Sequence, residues 1–267
     1  MPECVIVVPC YNEARRLRGE QFTKYLQGTP HISILFVNDG STDDTLQVLR
    51  QIERQLPARI QVLHRPVNSG KAESVRAGLL HALEGGTADF VGYWDADLAT
   101  PLDAINDLLE LLLAHNEVDI VLGSRVKLLG RDIERLAVRH YLGRVFATCA
   151  SVVLGLPIYD TQCGAKIFRV TPNLTGILQE PFSSRWIFDV ELLARFLQSS
   201  DTEKAEVKIY EFPLYRWRDV PGSKVRPLDF LTAAKELLAI WRKYPRNSRQ
   251  GTTRPGEGGQ TGRRENS

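Results

Sequence analysis

The sequence predicts an α/β protein built on a mostly parallel central sheet with helices on both faces. Two observations carry that prediction. Short apolar, β-branched runs alternate with longer stretches whose apolar residues recur at helical spacing. The runs are apolar throughout instead of alternating, as strands covered on both faces must be.

In chain order, Val5–Val8 is the first strand, bounded by Pro9, and a helical stretch follows Asn12. Ile34–Val37 is the second strand. Ser41 and Asp43 offer N-caps to a helix that carries Leu46, Leu49 and Ile52 on one face. Ile60–Leu63 is the third strand, and Lys71–Leu83 a helix with Val75, Leu79 and Leu83 aligned. Phe90–Trp94 is the fourth strand. Pro101 opens the next helix in its first turn, where proline is tolerated, and Ile105, Leu108, Leu109 and Leu112 line it. Ile120–Leu122 is the fifth strand. The second half is less regular: Leu128–Val153 is expected to be helical with a break near Gly143, Ala165–Val170 a strand, Trp186–Leu197 a helix, Val207–Phe212 a strand and Leu228–Tyr244 an amphipathic helix. From Pro245 on no large apolar residue occurs, as in a disordered polar tail. The expected organisation is a catalytic domain over 1–226, a C-terminal helix over 227–245 and a tail over 246–267.

The 267 residues suit one large domain, and 43% hydrophobic with 25% charged residues leaves material for a sizeable core. A net charge of +2 is too small to imply a nucleic-acid partner. Cys4, Cys10, Cys149 and Cys163 form no C-x-x-C pair and no zinc spacing, so disulfides are not expected and a reducing cytoplasm is the simpler location. Glu3 before five apolar residues is no secretory signal. No stretch reaches the ~18 apolar residues of a membrane span; Val145–Ile158 comes nearest, as a core or interfacial helix.

Ligands of open parallel sheets bind at the carboxyl ends of the strands, and polar clusters sit at those ends here. Pro9-Cys10-Tyr11-Asn12-Glu13 follows the first strand, Asn38-Asp39-Gly40-Ser41 the second, Asp95-Ala96-Asp97 the fourth and Gly123-Ser124-Arg125 the fifth. Each alone reads equally as a turn; four at one edge are harder to dismiss. Asp95 and Asp97, in extended backbone, would point the same way and share one hard cation, Mg²⁺ or Mn²⁺, which bridges readily to a diphosphate. Ser69-Gly70-Lys71 is not a P-loop, because Arg65 and Ala72 replace its glycine and its Ser or Thr. No G-x-G-x-x-G follows a strand, which disfavours a dinucleotide oxidoreductase.

Val7-Val8-Pro9-Cys10-Tyr11-Asn12-Glu13, Val37-Asn38-Asp39-Gly40-Ser41-Thr42-Asp43 and Asp95-Ala96-Asp97, in this order, resemble the family 2 glycosyltransferases. Asn68-Ser69-Gly70-Lys71, Gly123-Ser124-Arg125, Asp160-Thr161-Gln162-Cys163-Gly164-Ala165-Lys166 and the stretch Trp186–Leu193 extend the similarity to dolichyl-phosphate glucosyltransferases and their mannosyltransferase cousins. The resemblance covers roughly residues 4 to 226. It implies the glycosyltransferase A fold, a mostly parallel Rossmann-like sheet. It also implies an inverting, metal-dependent transfer of a sugar from a nucleotide donor, UDP-glucose ahead of a GDP-sugar, to a polyprenyl phosphate. Pro9, Tyr11, Glu13 and Ala96 would then lie along the nucleotide, Asp39 hold the base or ribose, and Lys71 approach the nucleotide. Asp95 and Asp97 would hold Mg²⁺ or Mn²⁺, and Arg125 and Arg139 bind phosphate. Gln162 and Lys166 would sit near the sugar or acceptor phosphate, with Lys224 a late phosphate contact. Two departures stand out: Ala99 occupies a position where cousins carry a metal-completing Gln, and membrane helices found in many relatives are missing.

The acceptor decides the mechanism. An anionic lipid phosphate needs cationic positioning but no base; a hydroxyl needs a carboxylate base, for which Asp189 and Glu191 are candidates, with helix surface or capping charge as the competing reading. The basic stretch Arg125, Lys127, Arg131, Arg135, Arg139 and Arg144, with Arg131, Arg135 and Arg139 on one helix face, reads as a solvated face or as contact with an anionic membrane or phosphate. The expected setting is therefore cytoplasmic, peripheral at the membrane's cytoplasmic face. The rivals are a family 2 enzyme acting on a soluble or polysaccharide hydroxyl, and a nucleotidyltransferase.

Overall fold

The apolar runs become the strands β1 (Cys4–Cys10), β2 (Ile32–Asp39), β3 (Ile60–Arg65), β4 (Phe90–Trp94) and β5 (Ile120–Ser124). Near-complete burial along β1, β2, β4 and β5 explains why these runs lack polar alternation. The structure, a computed structural model, describes residues 2–134, 137–199, 205–220 and 227–245, with the backbone alone at 137–140, 142, 205 and 227–231.

With β6 (Asp132–Glu134), β7 (Ala165–Arg169), β8 (Ile209–Pro213) and β9 (Arg216–Arg218), the strands form two sheets. The large one has the order β3-β2-β1-β4-β7-β5-β8. All its neighbours are parallel except β7, which runs antiparallel between β4 and β5. The small one pairs β6 with β9 and turns Ile133 and Trp217 into the core. On one face α1 (Gly19–Gln27), α2 (Thr45–Gln55) and α4 (Ala104–Ala114) bury Phe22, Leu49 and Ile105 against Ile6 and Phe36. On the other lie α3 (Lys71–Glu84), α5 (Ala137–Leu154), α6 (Pro172–Gln179), α7 (Phe188–Ser199) and α8 (Pro227–Lys243). Helix α7 is buried without interruption from Phe188 to Phe196, because α5 and α8 both pack over it.

The expected mostly parallel sheet with helices on both faces is therefore the architecture found. Several local expectations change. The chain after Asn12 makes a turn, with Leu17 N–H on Glu13 O at 2.9 Å, and the helix begins only at Gly19. Pro101 precedes α4 by three residues, outside its first turn. The long helix expected from Leu128 is interrupted: Gly130 turns with φ +79°, Asp132–Glu134 is captured by pairing with Arg216–Arg218, and α5 starts at Ala137 and runs through Gly143. A partner some eighty residues away leaves no mark on local periodicity. The basic face expected of Arg131, Arg135 and Arg139 on one helix falls with it. Arg131 lies in the turn before β6, its guanidinium 3.5 Å from the Tyr215 ring centroid, and Arg135 lies outside the described residues. The tail expected over 246–267 also lies outside them.

Candidate active site

The sheet reverses its strand order between β1 and β4, and the two strands part there. Their pairing ends at Val7↔Tyr93, whereas β1 stays paired with β2 as far as Cys10↔Asn38. Pro9 lies beyond the last β1–β4 pair, where a missing N–H deprives β4 of nothing. A crevice at such a switch point, outside the carboxyl ends, is where ligands of open α/β sheets bind.

The first two motifs interlock along its rim. Asn12, with φ +54°, gives its N–H to Ser41 Oγ at 3.1 Å and accepts the Thr42 N–H at 2.9 Å. Thr45 Oγ1 accepts the Glu13 N–H at 2.8 Å, and Asp43 accepts the Thr45 N–H at 3.0 Å; neither expected cap holds the N-cap position of α2, which is Asp44, and Ser41 braces the β1 loop instead. The Glu13 carboxylate is forked onto Arg16, at 3.0 and 2.5 Å. Asp39 is buried, and its two oxygens accept the Ser69 and Gly70 N–H groups at 3.0 and 2.8 Å. Gly40 beside it has φ +60°, and a Cβ there would stand 2.4 Å from Asn68 N. Asp39 thus anchors the 68–70 loop at the start of α3.

Lys71, the first residue of α3, reaches across the crevice and places Nζ 2.5 Å from Asp95 Oδ1. Burial pulls this ammonium down, but Asp95, then Asp189 and Asp97, outweigh it and hold it above the usual lysine range. The Asp pair does not sit in extended backbone, as its spacing suggested. Asp95 follows the last residue of β4, Trp94, and the chain turns at once, with Leu98 N–H on Asp95 O at 3.2 Å and Leu98 at φ +54°. Burial, then the like charge of Asp95, push the Asp97 carboxyl above its ordinary value, against the pull of the Ala99 N–H, Lys71 and Arg16. Behind Asp95 stands Gly164, whose carbonyl accepts the Asp95 N–H at 3.0 Å; a Cβ at 164 would lie 1.9 Å from Asp95 Oδ2. The motif Asp160–Lys166 therefore contributes a bare backbone wall against which that carboxylate rests.

The remaining charges face inward. Lys166 is wholly buried, with Nζ 2.6 Å from Cys163 O and 2.6 Å from Asp189 Oδ1; Tyr93 Oη donates to the same oxygen. Burial, then the Asp189 charge, hold that phenol well above its ordinary value, so it remains a donor. The expected reach of Lys166 toward a sugar or phosphate is replaced by this internal pair. Glu191, the second candidate base, is fully buried and accepts from Ser184 N at 2.8 Å, Arg195 at 2.8 Å and Tyr244 Oη at 3.0 Å. Burial raises it, but those bonds together prevail and its carboxyl stays below its ordinary value. Arg125 forks onto Asp160 at 2.6 and 2.7 Å and lies over Trp217. Gln162 Nε2 and Thr161 Oγ1, beside them, are buried with no protein partner. Arg139 belongs to α5 by its backbone, its side chain not being among those described, and Lys224 lies outside the described residues.

Lys71, Asp95 and Asp97 thus meet at the crevice, with Arg125 and Asp189 close enough to act on them from the β7 side, while Ala96 is packed into the core. Sequence reasoning overlooked Gly164, Tyr93 and Trp217. Gly164 lay inside a motif already noticed, whereas Tyr93 and Trp217 are indistinguishable in sequence from core aromatics. Among the described residues, no cluster of three or more His, Cys, Asp or Glu side chains is disposed to hold a metal ion; the chain brings a carboxylate pair.

The chain matches Glycosyl transferase family 2 across residues 5–174. It is 32% identical to the dolichyl-phosphate beta-glucosyltransferase ALG5C of Trichomonas vaginalis over 88% of this chain and 69% of that protein. It is 29% identical to the dolichyl-phosphate beta-glucosyltransferase of Saccharomyces cerevisiae over 90% of this chain and 74% of that one. Among solved structures, glucosyl-3-phosphoglycerate synthase of Mycobacterium tuberculosis, in complex with Mn²⁺, UDP and glucosyl-3-phosphoglycerate, superposes with a TM-score of 0.61 at 20% identity, covering 91% of this chain and 80% of that one. That likeness concerns the fold, which is the glycosyltransferase A fold expected from the motifs.

Proposed function

The chain belongs to glycosyl transferase family 2, a hexosyltransferase that draws on a nucleotide-sugar donor, and from that premise we propose that it moves glucose from UDP-glucose onto a polyprenyl phosphate. The observation that carries the acceptor is the state of the carboxylates around the crevice. Apart from Asp97, each is already matched: Asp95 by Lys71, Glu13 by Arg16, Asp39 by two backbone amides, Asp160 by Arg125, Asp189 by Lys166 and Tyr93, and Glu191 by Arg195. A hydroxyl acceptor needs a free base; a phosphate acceptor arrives ionised and needs only cationic positioning. The dolichyl-phosphate glucosyltransferases named above support the same substrate class. Membership of the family sets the nucleotidyltransferase rival aside.

The residues present fit a hard divalent cation. Asp95 and Asp97 are two neighbouring carboxylates whose mutual repulsion such an ion relieves, and with Ala99 in place of a longer side chain the other positions fall to water and diphosphate oxygens. Mg²⁺ or Mn²⁺, when bound, would neutralise charge on the leaving nucleoside diphosphate. The chain's own groups do the rest. Pro9, Tyr11, Glu13 and Ala96 border the nucleotide, and Asp39 serves it by fixing the 68–70 loop. Lys71 moves between Asp95 and the diphosphate. Arg125, with Arg139 and Lys224, positions phosphate, and the unpartnered Nε2 of Gln162 meets sugar or acceptor. Lys166 holds Asp189 in place beneath them. In-line attack by the acceptor oxygen inverts the anomeric carbon. Residues 1–226 form the catalytic unit in this reading, with the helix 227–245 and the tail 246–267 appended. No helix among the described residues is long and apolar enough to cross a membrane; in this reading the lipid acceptor is met peripherally, at the cytoplasmic face.

The test is a panel of UDP- and GDP-sugars with and without Mn²⁺ or Mg²⁺, offered a polyprenyl phosphate or a soluble hydroxyl acceptor. The reading expects metal-dependent transfer from UDP-glucose to the lipid phosphate; transfer only to the hydroxyl acceptor would favour the soluble-substrate rival.

A further inference from the structure

We propose that Glu211, on the edge strand β8, is a positioning residue: it clamps the corner Tyr159–Gln162 and so fixes the Arg125 guanidinium where it meets substrate phosphate. Glu211 is a lone charge in an otherwise apolar and aromatic strand, Ile209-Tyr210-Glu211-Phe212-Pro213, and it is partly buried there. A carboxylate in such a place costs desolvation unless it is bonded. Both of its oxygens are bonded: Oε2 accepts the Tyr159 N–H at 2.8 Å and Oε1 the Asp160 N–H at 2.6 Å. Two successive N–H groups aimed at one anion form a nest, and here the anion comes from a strand 51 residues further along the chain. Burial pushes the Glu211 carboxyl above its ordinary value and the Asp160 charge adds to it, against the pull of the Tyr159 amide, Ser124 and the Asp160 amide.

What the clamp holds leads to the crevice. The corner is tied by side chains: Arg144 donates to Tyr159 O at 3.3 Å with its guanidinium 3.6 Å from that ring's centroid, and Asp160 accepts the Gln162 N–H at 3.1 Å. The Asp160 carboxylate also accepts the main-chain N–H, Nε and Nη2 of Arg125, at 3.1, 2.6 and 2.7 Å. That fork sets the plane of the guanidinium and leaves Nη1 out of it. Arg125 follows the last residue of β5, and β8 pairs with β5, Leu122 standing opposite Glu211. Both ends of the relay Glu211–Asp160–Arg125 therefore stand on one strand pair, and the corner between them shifts only if a bond breaks. The same corner carries Thr161 Oγ1 and Gln162 Nε2, buried with no protein partner, so a ligand held there finds polar atoms still unbonded. Releasing the two amides would let the corner relax and turn the fork with it. A misplacement of about 1 Å in a positioning group costs up to ~10²-fold.

The proposal rests on the reading that Arg125 positions the acceptor's phosphate, so the experiment tests the two residues side by side. The full chain is given UDP-glucose, Mn²⁺ and a short, water-soluble prenyl phosphate. Acceptor KM, kcat, UDP affinity by calorimetric titration and melting temperature are measured for Arg125→Gln, Glu211→Gln and the double variant. Glu211→Gln sets an NH₂ group against one of the two amides and should raise acceptor KM about tenfold, with kcat and UDP affinity near wild type. Arg125→Gln should raise it more, and the double variant no further, because Glu211 acts through Arg125. A residue that only supported the fold would lower the melting temperature, and its effect would multiply with that of Arg125→Gln. Wild-type acceptor KM in folded Glu211→Gln, or independent effects in the double variant, would overturn the positioning role while leaving the function standing. So would a kcat loss of ~10²–10⁴-fold at unchanged KM, which would make Glu211 a general base. Weaker UDP binding in Arg125→Gln with acceptor KM unchanged, or no transfer to the prenyl phosphate at all, would sink the acceptor reading. The same cycle is then read on UDP affinity, where Glu211→Gln must follow Arg125→Gln or the role falls too. An Arg125→Gln protein indistinguishable from wild type would sink both.

Discussion

The rim where β4 ends and α3 begins holds its charges where a ligand can reach them. Lys71 and Asp95 pair across the crevice with 43% and 34% of their side chains exposed, and Asp97 carries a like charge beside it. The β7 side holds the same residue types shut: Lys166 and Asp189 pair with 1% and 7% exposed, and Glu191 is sealed entirely. Charges of the first kind repel, as Asp95 and Asp97 do, or pair within reach of solvent, as Lys71 and Asp95 do, so that a ligand can take them over. Those of the second kind are matched already, and breaking one match leaves an uncompensated buried charge. The contrast teaches that a charged residue near a site either acts on the ligand or fixes the wall behind it. Burial tells the two apart.

The largest test of that contrast is removal of the reachable pair. Asp95→Ala and Asp97→Ala should each reduce transfer by on the order of 10³-fold or more, several kcal/mol of charge stabilisation, without loss of fold. Wild-type turnover in a folded Asp97→Ala protein, or full activity in excess chelator, would break the contrast at its centre. Next is the wall. In Gly164→Ala the new methyl occupies the place of the Asp95 carboxylate, which must swing away. A displacement of about 1 Å costs up to ~10²-fold, so kcat should fall by that order while the circular dichroism spectrum stays the same.

This second prediction also marks where sequence legibility ended. The strands, the faces of α2, α3 and α4, and the clusters at Pro9, Asp39, Asp95 and Arg125 were all readable, because strand burial and helix amphipathicity are local signals and strand-end motifs are contiguous. What joins them was not. The insertion of β7 between β4 and β5, the β6–β9 pairing and the partnerships Arg125–Asp160 and Lys166–Asp189 span tens of residues. Sequence could place Lys166 and Asp189 near the site but not say that they face each other. Gly164 matters through what it lacks, and a missing side chain has no pattern to read.

The matched side is probed by Asp189→Asn. Leaving Lys166 buried without a counter-charge should cost about 3–5 kcal/mol of stability, read as a lower melting temperature, and Asp189→Asn/Lys166→Met should recover much of it. Turnover per folded molecule should fall by less than the ~10²–10⁴-fold that loss of a general base brings. A loss in that range, in protein verified as folded, would make Asp189 a base and the acceptor a hydroxyl. Smaller still is Asp39→Ala, which releases the Ser69 and Gly70 amides. Its effect should be on nucleotide affinity, weakened about tenfold for the loss of charge-assisted bonds, with little change in kcat. Unaltered UDP affinity in calorimetric titration would detach that loop from the nucleotide.

The smallest effect gives the contrast its sign. Asp97 has a folded-state pKa raised by burial and by Asp95, so the folded chain binds that proton more tightly than the unfolded chain does. Below the ordinary Asp value of about 3.9 both states are protonated and the carboxyl costs nothing. As pH rises through that value and then through the raised one, stability is lost. Asp97→Asn removes the ionisation, so without metal it should melt higher than wild type at neutral pH, and the gain should vanish on acidification below about pH 4. Asp189→Asn should melt lower at the same neutral pH. Opposite signs for one chemical change at two carboxylates, on either side of β4, are what a reachable charge and a matched charge require. Melting curves of both variants moving in the same direction would mean that the two sides of the crevice do not differ in this way.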